Sequence, residues 1–108
     1  MIYIANAFSL QMISNDFMPA TIKVSQVSTD TIKNDVTEHM HVGAVGHPDT
    51  ALVVNDVLGI DTIHERVNIA LTPYDTLYVA QLVGGRLPVG ATTLPEGFEI
   101  NWYHLFLV

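Results

Sequence analysis

His47, Arg66 and Arg86 are the residues whose types and surroundings could do chemistry. His47 stands immediately before Pro48, and proline fits the first turn of a helix because the N–H it lacks has no helical partner there. Asp49 follows, a negative charge where the helix dipole favours one. A helix starting here puts His47 beside backbone N–H groups with no internal partner, a ready place to hold a phosphate. From that position the imidazole can share a proton with the phosphate and act as general acid, or it can simply hydrogen-bond locally. Arg66 and Arg86 are the two arginines, and a guanidinium fork takes two phosphate oxygens at once. Either they converge on an anion or they pair with the chain's acids. Gly84-Gly85, with Pro88 and Gly90 nearby, makes a loop that a ligand could approach closely. Ser9 follows an Asn-Ala-Phe turn and can donate to a ligand or cap a turn.

Other candidates carry less. His39-Met40-His41 has a spacing that invites a metal. On a helix, i and i+2 face different sides, there is no cysteine and no clear third ligand, so neither a metal nor a cofactor is expected. His64 and His104 read as structural. Tyr74, Tyr78, Trp102 and Tyr103 could stack on a base, but at strand spacing they read as core or interface.

The elements that must position these groups follow from periodicity. Ala51, Leu52, Val54, Val57 and Leu58 recur at helical spacing after Pro48, and Gly59 is well placed to end that helix. Residues 2–8 read as a first strand, 9–14 as a short helix or loop, and 20–27 alternate as a half-buried strand. Ser28 or Thr29 caps a surface helix to about Met40, with Ile32, Val36 and Met40 as its apolar stripe. His41–Gly46 links it to the central helix, with room for a short extended piece. Residues 66–72 alternate as a strand, Pro73-Tyr74-Asp75 reads as a turn, and the apolar run 76–83 suits a central strand buried on both faces. Those two runs predict a hairpin, which would set Arg66 and Arg86 at the same edge of the sheet. Residues 98–108 form the last strand, after a long loop. The expected fold is a single α/β (α+β) domain over residues 1–108, a mixed sheet of about five strands with two or three flanking helices.

Composition narrows the function. Hydrophobic residues make up 49% of the chain and charged residues 14%, which favours a symmetric homodimer that hides apolar surface. The net charge is −7 and only Lys23, Lys33, Arg66 and Arg86 are cationic, so general binding to duplex nucleic acid is excluded. With no cysteine, no signal-peptide pattern and no apolar run of about 20 residues, a cytosolic protein without a membrane span is expected.

Met1-Ile-Tyr-Ile-Ala-Asn-Ala-Phe-Ser9, Gly46-His-Pro-Asp-Thr50 and Tyr78-Val-Ala-Gln81 followed by Arg86-Leu-Pro88 occur here in one order. Together they resemble the viral anti-CRISPR ring nuclease family, over nearly the full length. The resemblance implies a symmetric dimer that binds cyclic tetra-adenylate, a second messenger of type III CRISPR defence, across its interface and cleaves it without a metal. It implies His47 as general acid, protonating the leaving 5′-oxygen while a ribose 2′-hydroxyl attacks phosphorus. Arg66 and Arg86 would hold the phosphate, with Ser9 and the Gly84-Gly85 turn at the ligand. It also implies an anti-defence role in the cytoplasm of an infected host cell.

One departure bears on activity. The family pattern is Arg-Leu-x-Glu-Gly, and here the run is Arg86-Leu-Pro-Val89-Gly90. Valine can neither accept a proton nor orient a hydroxyl, and such help is worth about 10²–10⁴-fold in rate. Glu96 could substitute only if the loop folds back. Three readings stay open: a ring nuclease, slowed or disabled at Val89; a sponge that sequesters a cyclic nucleotide signal without cutting it; and a structural or regulatory partner-binding domain whose apolar surface is the interface.

Overall fold

The computed structural model describes residues 1–45, 48–61 and 68–108. In chain order its elements are β1 (Ile2–Ala5), β2 (Ile22–Val27), α1 (Thr29–Glu38), β3 (His41–Gly43), α2 (Pro48–Leu58), β4 (Thr76–Val83) and β5 (Glu99–Leu107). The strands form a five-stranded mixed sheet in the order β2-β5-β4-β1-β3. β1 runs parallel to both β3 and β4, while β5 is antiparallel to β4 and β2. The apolar run in β4 buries Leu77, Tyr78, Val79 and Ala80 in succession, as a central strand covered on both faces must.

One face of the sheet carries the two helices. Ser28 caps α1, its hydroxyl accepting from the Thr31 N–H at 3.2 Å. Ile32 and Val36 pack with Val54 and Leu58 of α2 onto Ile4, Tyr78, Ala80 and Trp102. Met40, expected to continue the α1 stripe, is 84% exposed, because the helix stops at Glu38 and the chain turns out into β3. At the far end of α2, Gly59 N–H donates to Asp56 O and Ile60 N–H to Asn55 O, the paired closure of a Schellman motif. Ile60 then packs against the helix-side core.

The opposite face is covered by chain without regular pairing. Ile13, Ile69 and Leu71 sit with Ala5, Leu77, Val79, Leu105 and Leu107 in a second core. Here the expected hairpin fails. The described part of the 66–72 run, from Asn68 onward, is not a strand beside β4. Both edges of β4 are already taken, by β1 and β5. Leu71 instead bridges Ile13, with Leu71 N–H on Met12 O at 2.6 Å and Ser14 N–H on Leu71 O at 3.1 Å. The alternation was real, since Ile69 and Leu71 are buried and Ala70 is exposed, but alternation reports a buried side and not the partner. The turn at Pro73-Tyr74 is present, and Asp75 holds it by accepting from the Thr72 N–H at 3.0 Å and the Thr72 hydroxyl at 3.1 Å. The fifth strand is β3, in the segment read as a linker.

Candidate functional site

Three parallel strands set the site. Ile4 pairs with both Gly43 and Tyr78, so β1, β3 and β4 end at one edge of the sheet. Asn6–Ser9 leave that edge from β1, Gly84–Val89 leave it from β4, and the link from β3 leads to Pro48 and α2. In open α/β sheets, ligands bind outside the carboxyl ends of the strands.

At this edge lies a cavity of about 580 Å³ lined by Asp49, Thr50, Leu82, Arg86, Leu87 and Val89. Its volume lies in the range of small-molecule sites. Asp49 and Thr50 come from the first turn of α2, and Leu82 from β4. Arg86 and Val89 come from the loop beyond the glycine pair. Gly84 and Gly85 have φ of +127° and +116°, values that side chains rarely adopt. A Cβ on Gly84 would stand 3.0 Å from the Phe98 backbone and ring, whereas one on Gly85 would meet nothing within 4 Å. The pair therefore turns the chain tightly over Phe98 and delivers Arg86 back toward α2. Among the described residues, neither Asp49 nor Arg86 has an ion-pair or side-chain hydrogen-bond partner, so both present unused polar groups to the cavity. Val89 is fully exposed.

The sequence-based site residues divide as follows. Arg86 and Val89 share one cavity with the start of α2. His47 and Arg66 lie outside the described residues, as does His64, and the hairpin that was to bring Arg66 beside Arg86 is not formed. Ser9 is exposed, its hydroxyl accepts from the Gln11 N–H at 3.2 Å, and it caps the short 3-10 turn Leu10–Met12. It lines a separate cavity of about 370 Å³ with Gln11, Met12, Asn68 and Ile69. Glu96 is exposed and does not line the Arg86 cavity. A third cavity, about 460 Å³, lies on the sheet face away from the helices, between Asn6, Ala7, Phe8, Val24, Val79, Gln81, Tyr103 and Leu105. Sequence reasoning missed Asp49 as a lining residue, having assigned it only to the helix dipole. The signal available was its place two residues after His47.

Among the described aromatic and histidine candidates, Trp102, Tyr78 and His104 sort with the sheet and its core, whereas Tyr74 and His39 are exposed. Trp102 is buried, Tyr74 is 88% exposed, and the Tyr78 hydroxyl donates to Asp35 Oδ2 at 2.6 Å. Burial and that bond push the Tyr78 hydroxyl well above the usual phenol range. His104 faces Tyr78 across the β4–β5 pair, its ring 5.3 Å from Tyr78 and 5.1 Å from Phe106. Burial lowers its pKa, and its Nε2 has no hydrogen-bond partner. His39 ends α1, with Nδ1 3.1 Å from Asp35 Oδ1, while His41 opens β3. Among the described residues no three His, Asp or Glu side chains cluster as metal ligands.

Comparison with known proteins places this arrangement. No curated protein matches the sequence. Among solved structures, B116 of Sulfolobus turreted icosahedral virus superposes with a TM-score of 0.80 at 21% identity, covering 97% of each chain. At that identity the likeness establishes the fold. The STIV B116-like family model matches residues 2–103, and the chain belongs to the STIV B116-like family.

Proposed function

We propose that this is an anti-defence protein of a virus or mobile element that binds a cyclic oligonucleotide second messenger, cyclic tetra-adenylate, in the cavity at the carboxyl ends of β4 and β3. The observation that carries the reading is the meeting of Arg86 with the first turn of α2 in one cavity. His47 is the residue next to that turn in the chain. Arg86 supplies a fork for a phosphate, the α2 start supplies N–H groups aimed outward, and Leu82 and Leu87 give an apolar wall for ribose or base. A homodimer would bring two such cavities together and let a cyclic ligand bridge them. The viral source of B116 is consistent with the proposed origin.

On this reading the ring opens without a metal. A ribose 2′-hydroxyl attacks the neighbouring phosphorus, His47 protonates the departing 5′-oxygen, and Arg86, with Arg66, offsets the charge developing on the phosphate. The second reading, a sponge that binds the signal and leaves it intact, is favoured by Val89. That side chain stands at the cavity where the family pattern has a glutamate, and loss of a carboxylate does not weaken a site for a polyphosphate.

The test is to incubate the purified protein with labelled cyclic tetra-adenylate in EDTA, measuring binding and product separately. Product that disappears in His47→Ala supports the nuclease reading and excludes the sponge. Tight binding with no product supports the sponge. Absence of binding overturns both.

A further inference from the structure

α1 is held to the sheet by few contacts. Of its ten residues, Ile32 and Val36 are buried. Among the described residues, its side-chain hydrogen bond to the sheet runs from the Tyr78 hydroxyl to Asp35 Oδ2 at 2.6 Å. A helix with so little buried apolar surface belongs to the part of a fold that opens first. His104 stands beside that bond. It pairs with Tyr78 across β4 and β5, with ring centroids 5.3 Å apart, and Phe106 flanks it at 5.1 Å. Its Nε2 is shut off from water and has no hydrogen-bond partner. The charged and titratable groups around it are Asp35 from α1, Tyr78 from β4 and Lys23 from β2, whose Nζ lies 6.0 Å over the Phe106 ring. His39 joins the cluster through Asp35, with Nδ1 3.1 Å from Oδ1, in a contact open to water and therefore weak. Each Asp35 oxygen thus already has a partner. A proton on Nε2 would add a charge among aromatic rings with no acceptor in place.

From this cluster we infer that His104 is an acid-sensitive latch for α1. Neutral, it lets the helix close over the sheet; charged, it favours the helix lifted away, with Nε2 in water. The inference stands apart from the ligand reading above and holds whatever the Arg86 cavity binds. The sign follows from burial. In the closed form burial lowers the pKa of His104, and Asp35 offsets that in part. Release returns the ring to its ordinary value of about 6.5. Protons therefore favour the open form as pH falls below about 6.5, and have no such effect well above it. While the closed His104 stays neutral, the open population rises about tenfold between about pH 7.5 and about pH 5.5.

Hydrogen exchange at those two pH values, corrected for the intrinsic pH dependence of amide exchange, tests this on the parent and on His104→Phe. The variant keeps a ring between Tyr78 and Phe106 and cannot take a proton. In the parent, α1 amides should exchange ahead of those of β4 at both pH values, and their opening should rise about tenfold on acidification. In His104→Phe that rise should shrink to less than about twofold. Equal protection of α1 and β4 overturns the latch, because His104 then meets water only on global unfolding. An α1 whose opening does not change with pH overturns it, and so does a tenfold rise that persists in His104→Phe, which would place the sensitivity at Asp35 and His39. If the variant does not fold, NMR titration of the His104 ring in the parent decides. A ring still neutral at about pH 5.5 in the closed form is expected, and a ring already charged there while α1 stays protected overturns the inference.

Discussion

Replacing Gly84 and Gly85 separately by alanine isolates the contact that turns the loop toward α2. The two glycines have similar positive φ, +127° and +116°. Holding a side-chain-bearing residue in such a region costs about 1–3 kcal/mol, so both variants lose stability by that amount. Only Gly84 adds a steric term. Its Cβ would sit 3.0 Å from Phe98 Cα, Cγ and Cδ1, and a backbone atom cannot swing aside as a side-chain tip can. Forcing such a contact apart adds about 1–3 kcal/mol. Gly84→Ala should therefore be less stable than Gly85→Ala by about 1–3 kcal/mol, a large fraction of the roughly 5–15 kcal/mol that holds a domain folded. Urea unfolding followed by circular dichroism reads this as a lower midpoint at unchanged slope. In thermal melts each kcal/mol appears as about 4–8 °C for a domain near this size. Equal midpoints for the two variants, or a Gly84→Ala as stable as the parent, would refute the close approach of the loop to Phe98.

Three further outcomes follow from side chains in and near the site. Tyr78→Phe deletes the bond to Asp35 and should cost about 1–2 kcal/mol, less than a fully buried charged bond because Asp35 is partly solvated. Because the folded Tyr78 ionises later than the unfolded one, the parent loses stability as pH rises past about 10, and urea midpoints of Tyr78→Phe should fall less steeply there. His104 has the opposite sign: burial keeps it neutral while the unfolded chain protonates below about 6.5, so stability falls as pH falls below that value. His104→Phe retains the ring between Tyr78 and Phe106, removes the unpartnered Nε2, and should be more stable by about 1 kcal/mol with a flatter acid limb in calorimetry. Val89→Glu, at a fully exposed position, should change stability by no more than about 0.5 kcal/mol while raising ring opening; unchanged turnover would show that the cavity has diverged at more than this residue.

The elements legible in the sequence were those whose signals are local. The Ser28 cap, the Pro48 start and Gly59 end of α2, and the unbroken apolar run of β4 depend on neighbours a few residues away. What was not legible depended on partners. Nothing in the alternation of 68–72 says that Leu71 bridges Ile13 and not β4, because an alternating segment has one buried side against any apolar surface. His41–Gly43 is too short to show a period, and becomes a strand only because β1 offers it a free edge. The site was legible in the same proportion. Arg86 and Val89 were singled out from type and motif, and in the fold they line one cavity with the first turn of α2. Asp49 needed the fold, since only the crossing of α2 past the β4 loop gives its carboxylate a cavity to face. Ser9 has a separate cavity from Arg86 within one chain, so its assigned place beside the ligand depends on a second subunit or a second contact point.

The most direct measurement is the affinity of the parent and of Arg86→Ala for labelled cyclic tetra-adenylate at fixed salt. A charge-assisted phosphate contact is worth about 1.5–3 kcal/mol, so Arg86→Ala should bind about 10- to 150-fold more weakly while its unfolding midpoint stays that of the parent. A parent that does not bind the ring, or an Arg86→Ala variant that binds as tightly as the parent, would contradict the assignment of this cavity.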